Sequence, residues 1–104
     1  MIRYKTVAIT PPANGEITVT ALTVPAGAKY NLKLLATNGQ TSNMVSLMIN
    51  DTTFVEVIDN SYISSANGVP LNTEMDGPTE LDIKIKDVTG SNNTIYATIA
   101  YEEA

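Results

Sequence analysis

Thr79-Glu80-Leu81-Asp82-Ile83-Lys84-Ile85-Lys86 decides the fold. Leu81, Ile83 and Ile85 stand at every second position, and Glu80, Asp82, Lys84 and Lys86 flank them. Successive side chains of a strand point to opposite faces, so a period of two gives one apolar and one charged side. A helix would scatter the same three aliphatic residues around its circumference. The segment reads as a strand with one face on a core and the other in water.

The pattern recurs in both directions. Downstream, Ile95, Ala97, Ile99 and Tyr101 share one face of the segment Thr94 to Tyr101, while Thr94, Tyr96, Thr98 and Ala100 share the other. The link Asp87-Val88-Thr89-Gly90-Ser91-Asn92-Asn93 is rich in turn formers, and a hairpin between the two strands is expected. Upstream, Tyr30, Leu32, Leu34 and Ala36 alternate with Asn31, Lys33 and Leu35. Ile17, Val19 and Ala21 alternate with Thr18 and Thr20, but Leu22 and Val24 break the phase. A bulge or an edge crossing near Ala21-Leu22 accounts for the slip. Pro25-Ala26-Gly27 ends that strand, and Tyr4 to Ile9 reads as a short first strand closed by Pro11-Pro12-Ala13-Asn14-Gly15.

Met44 to Ile49 and Thr53 to Ile58 flank the turn signal Asn50-Asp51, and both are apolar on both faces. A two-residue turn pairs Leu47 with Phe54. A three-residue turn through Thr52 pairs Met48 with Phe54 and Val45 with Val57. The second register is preferred, because it gathers Val45, Leu47, Val55 and Val57 on one face. It leaves Met44, Met48, Phe54 and Ile58 on the other as a candidate interface, with Ser46 opposite Glu56; the alternative is a central hairpin with both faces covered within the subunit. Asn60 to Pro78 is the least regular stretch, with room for a short strand near Tyr62-Ile63 or Val69-Leu71.

Seven or eight short strands separated by turns predict an all-β chain: a single antiparallel β-sandwich, jelly-roll-like, spanning residues 1–104. The expected core is Val19, Leu32, Leu34, Val45, Leu47, Val55, Val57, Leu81, Ile83, Ile85, Ile95, Ala97 and Ile99. At 104 residues one core is the expectation.

Composition narrows the function. The net charge of −5 repels a polyanion, and the six basic residues form no run. Nucleic acid is not an expected partner, nor is a membrane, since no apolar run approaches a span. MIRYKTVAIT lacks the apolar region of a signal peptide. The chain has no Cys and no His. The usual general base, the thiolate nucleophile and the soft metal ligands are therefore missing. No serine lies in a nucleophile motif and no glycine pattern cradles a phosphate. The expectation is no enzyme, no catalytic residue, no metal and no cofactor. Glu74, Asp76 and Glu80 crowd around Gly77, but their spacing fits no calcium loop, and they read as a solvated acidic loop. The sequons at Asn50-Asp51-Thr52 and Asn92-Asn93-Thr94 are frequent by chance in a chain rich in Asn and Thr. Tyr30 and Tyr101 fall in the apolar phase of their strands, which leaves Tyr62 and Tyr96 as candidate glycan platforms.

Three stretches together resemble small structural proteins of tailed bacteriophages. Leu22-Thr23-Val24-Pro25-Ala26-Gly27-Ala28-Lys29-Tyr30 runs into Leu32-Lys33-Leu34-Leu35-Ala36-Thr37-Asn38, similar to a VPAGK-like turn, a strand and an A-x-N turn. Val45-Ser46-Leu47-Met48-Ile49-Asn50-Asp51-Thr52 is similar to the hairpin that follows, and Ile95-Tyr96-Ala97-Thr98-Ile99-Ala100-Tyr101-Glu102-Glu103 to the closing strand. The match covers about half the chain and consists of turn and strand grammar, with no catalytic residues to carry over. It implies a virion component, with a capsid decoration (cement) protein on the outer surface of a phage head preferred. Its partners would be the major capsid protein and other virion proteins. Self-association is expected as well, with a trimer favoured because a closed ring hides an apolar patch. The alternative is a receptor- or glycan-binding module of a fibre, tail or cell surface.

Overall fold

The computed structural model describes residues 1–37, 43–58, 68–90 and 93–104. Among them are eight strands and no helix: β1 (Ile2–Ile9), β2 (Glu16–Val24), β3 (Lys29–Thr37), β4 (Met44–Ile49), β5 (Thr52–Ile58), β6 (Val69–Asp76), β7 (Thr79–Lys86) and β8 (Ile95–Glu103). Two four-stranded antiparallel sheets run in the orders β1-β8-β3-β6 and β2-β7-β4-β5. The pairs nest, β4 with β5, β3 with β6, β2 with β7 and β1 with β8. A long hairpin wrapped into two sheets in this order is a jelly roll.

Leu81, Ile83 and Ile85 of β7 meet Ile95, Ala97 and Ile99 of β8 in one core, all of them wholly buried. They do so across the sandwich. β7 pairs with β2 and β4, whereas β8 pairs with β1 and β3. The expected β7–β8 hairpin is therefore wrong. A hairpin and a crossing between facing sheets both leave two strands with matched alternation, and only the connection separates them. Here Asp87 anchors that connection. Its backbone N–H donates to Gly15 O (2.8 Å), and Oδ2 accepts from Asn14 N–H (3.1 Å). Oδ1 accepts from the N–H groups of Thr89 (3.0 Å) and Gly90 (3.1 Å) and from the Thr89 hydroxyl (3.0 Å). Buried Asn43 accepts from Val88 N–H (3.2 Å).

Three register shifts set which residues face inward. At Ala21 the pairing steps from Thr20↔Asp82 to Leu22↔Leu81, which makes the break in phase a bulge and not an edge crossing, and Ala21 and Leu22 are both buried. At Lys33 the pairing steps from Leu32↔Tyr101 to Leu34↔Ala100. The inward phase then passes to Leu35, which is wholly buried, and Leu34 leaves the expected core. At Phe54 the ladder steps from Met48↔Thr53 to Leu47↔Val55. Asn50 and Asp51 both have positive φ (52° and 63°), which makes a tight two-residue turn. The extra residue Phe54 then restores the preferred pairing of Val45 with Val57.

Ile9, Val24, Leu71 and Met75 complete the core, and Val19, Val55 and Val57 pack at its margin. Tyr30 and Tyr101 stack with ring centroids 5.0 Å apart and close one end. Pro70 falls in β6, an edge strand, where its missing N–H costs no ladder bond.

Candidate interaction surfaces

Strand register sets the outward residues of the two sheets in rows, and the two faces differ in chemistry. On the outer face of the first sheet, Ala8 lies beside Tyr96. Thr6 lies beside Thr98 and Ala36, with the two hydroxyls bonded at 2.8 Å. Tyr4, Ala100, Leu34 and Pro70 then form a row across all four strands. These three rows hold no charge. Tyr4 is 68% exposed, Tyr96 51% and Ile2 45%, the most exposed large apolar side chains on any described strand. Glu102, Asn31 and Glu74 make the next row, and Lys29 reaches Glu74 (3.3 Å) and Asp76 (3.7 Å) at its end.

The outer face of the second sheet is charged. Its rows are Glu16–Lys86–Met44–Ile58, Thr18–Lys84–Ser46–Glu56 and Thr20–Asp82–Met48–Thr53, with Glu80 beside Thr23 beyond them. Ser46 donates to Glu56 (3.3 Å) and Thr20 to Asp82 (2.9 Å). Met44, Met48 and Ile58 do lie together on this side, each half-buried. Phe54 does not join them. As the bulged residue it turns inward and packs against the core, so the expected four-residue patch is three residues split by the Ser46–Glu56 row.

Of the glycan platforms, Tyr96 is exposed on the first sheet and Tyr62 lies outside the described residues. Tyr4 is more exposed than Tyr96 and falls outside the sequence-based expectation. The signal for it is the outward set Ile2, Tyr4, Thr6 and Ala8, opposite Val7 and Ile9.

The acidic loop is likewise redrawn. Glu74 and Asp76 belong to β6 and pair with Lys29, while Glu80 belongs to β7 in the other sheet. Lys29's ammonium is held above its ordinary value, first by the hydrogen bond to Glu74 and then by the charges of Glu74 and Asp76. A cleft of about 380 Å³ beside the β4–β5 turn is lined by Thr23, Asn50, Asp51, Pro78, Thr79, Glu80 and Asp82. Among the described residues, no three acidic side chains are grouped so as to hold a metal ion.

The class these features define is a jelly-roll β-sandwich with an uncharged patch on the outer face of one sheet and a charged outer face on the other. No protein-family model matches the chain, and no curated protein matches it. Among solved structures, a chain of the cyanophage Pam1 capsid asymmetric unit is similar, with a TM-score of 0.50 at 15% identity over 97% of this chain and 82% of that one. At that identity the likeness speaks to the fold alone. The Drosophila NLP core, a structure described in terms of pentamer formation and histone binding, is more distant. It gives a TM-score of 0.42 at 15% identity, over 92% of this chain and 97% of that one.

Proposed function

We propose that this chain is a virion structural protein, a decoration protein that binds the outer surface of a phage head and stabilises the shell without catalysing a reaction. The observation that carries the reading is the uncharged three-row patch on the outer face of the first sheet. On a chain of net charge −5, three adjacent rows without a charge are a face on which docking desolvates no ion. Exposed Tyr4 and Tyr96 supply the aromatic contact that protein interfaces favour. The jelly-roll order, the phage-like turns and the fold likeness to a cyanophage capsid chain support the same reading.

The experiment is co-sedimentation of the purified chain with heads of its own phage stripped of it. Wild type is expected to pellet with the heads, and the double variant Tyr4→Glu/Tyr96→Glu to stay in the supernatant while keeping its β-sheet spectrum. Failure of wild type to bind, or equal binding by the variant, would sink the proposal. A second reading, glycan recognition by a fibre or tail module, rests on Tyr96 and its exposed neighbourhood. Saccharide binding lost on Tyr96→Ala, without any binding to heads, would favour it.

A further inference from the structure

We infer that the outer face of the β2-β7-β4-β5 sheet docks on a second copy of this chain, face to face, with the strands reversed about a twofold axis. The inference goes beyond shell binding and uses the opposite side of the sandwich. Its basis is the charge order along β7. The outward side chains read Glu80, Asp82, Lys84, Lys86, two acids and then two bases. Reversal sets Glu80 against the second copy's Lys86, and Asp82 against its Lys84. Among the described residues, Lys84 and Lys86 make no ion pair within their own chain.

The neighbouring strands agree with this arrangement. Reversal exchanges the row Glu16–Lys86–Met44–Ile58 with the row of Thr23, Glu80 and the Asn50-Asp51 turn. It exchanges the row Thr18–Lys84–Ser46–Glu56 with Thr20–Asp82–Met48–Thr53. Glu16 then meets Thr23, Glu56 meets Thr53, Met48 meets Ser46, and Met44 and Ile58 meet the Asn50-Asp51 turn, so no acid faces an acid. The other twofold stacking keeps each row opposite itself and swaps the columns. It would press Lys86 on Met44, Lys84 on Ser46 and Asp82 on Met48 and leave the charges of β7 without partners, whereas reversal pairs all four of them. Charge order therefore selects the reversed stacking, and Met44 and Met48 supply adaptable contact within it. The closed assembly is a dimer, in place of the ring of three that the apolar hairpin alone favours.

The test is sedimentation velocity on the intact chain across a concentration series. Wild type is expected to dimerise. Lys84→Glu/Lys86→Glu and Glu80→Lys/Asp82→Lys should each weaken the dimer by roughly tenfold or more, and an equimolar mixture of the two should recover it as a heterodimer. All four positions lie on a solvent face, and each variant's melting curve confirms that it is folded. Raising salt from about 0.05 M to about 0.5 M should loosen the wild-type dimer, because screening removes the pairing. A wild type that stays monomeric overturns the inference, as do reversed variants that dimerise like wild type, a mixture that does not recover, or a dimer that salt leaves unchanged. Binding to heads reads out the other face. Loss of the dimer with head binding retained is a failure of this inference alone.

Discussion

Gly77→Ala probes the joint where the turn between β6 and β7 meets the turn between β2 and β3. A methyl at residue 77 would overlap the Pro25 carbonyl oxygen outright, and would stand 2.5 Å from its carbon and 3.0 Å from the Val24 oxygen. All three are backbone atoms, so no side chain can swing clear. Ordinary carbon–carbon contact begins near about 3.5 Å, so one turn must retreat by roughly 1 Å or more. The retreat pulls on the bond from Gly77 N–H to Ala28 O, 2.9 Å long, which ties the two turns together. Overpacking of this kind costs about 1–3 kcal/mol, and a weakened backbone bond adds about 1 kcal/mol. A total near 3 kcal/mol lowers the melting temperature of a domain this size by roughly 15 °C. Gly27→Ala is the control. Gly27 has φ +84° and open space where a methyl would stand, with no atom within 4 Å. Only the left-handed backbone is then penalised, at about 1 kcal/mol or roughly 5 °C. Thermal melts followed by circular dichroism measure both. If Gly77→Ala melts within a few degrees of wild type, or if Gly27→Ala is the more harmful, the steric argument is wrong.

Leu35→Ala should cost about 2–5 kcal/mol in urea unfolding and Leu34→Ala under about 1.5 kcal/mol, because the register step at Lys33 buries the first and turns the second outward. Equal costs would refute that step. Asp87→Ala should cost about 3 kcal/mol by the same assay, since one carboxylate accepts from Asn14, Thr89 and Gly90 at once, and an unchanged midpoint would show that the connection holds without it. Lys29 gives a pH prediction. Its ammonium value is raised in the folded chain, so its contribution is present below the ordinary lysine range and is lost as pH rises through the raised value. The stability gap between wild type and Lys29→Gln should be small, flat through neutral pH and closed only at alkaline pH. A gap that changes between pH 5 and 8 would assign the effect elsewhere.

Alternation made the strands readable. Leu81, Ile83 and Ile85 sit where a period of two requires, and the bulge at Ala21 showed itself as a break in phase. Strand partners were less readable, because parity separates inside from outside and says nothing about which sheet a strand joins. β7 and β8 satisfy a hairpin and a sheet-to-sheet crossing equally well. The Asp87 bonds that carry the crossing are contacts to Asn14 and Gly15, more than seventy residues away in sequence. Leu34 and Leu35 are both leucines, so composition could not say which of them the step at Lys33 would bury. At Phe54 the turn type and the favoured pairing each implied a different register, and a single bulge satisfies both.

The same bulge explains why the surplus apolar surface lies on the other sheet from the one expected. β4 and β5 are apolar in both phases, so counting residues puts the excess on their outer side. Phe54, the largest of that set, turns into the core, and the Ser46–Glu56 row parts Met44 and Ile58 from Met48. β1 works in the opposite direction. Val7 and Ile9 fix its inward phase, but that phase continues into Lys5 and Arg3, which are exposed. Arg3 is held by Glu103 at 2.9 Å. Charges that point inward along an edge strand also discourage it from pairing with another chain through its open backbone. With the charges on the inward phase, Ile2, Tyr4, Thr6 and Ala8 are left to face outward. Tyr4 therefore continues the apolar row through Ala100 and Leu34 to Pro70, and the open edge is guarded while the face beside it keeps its exposed apolar side chains.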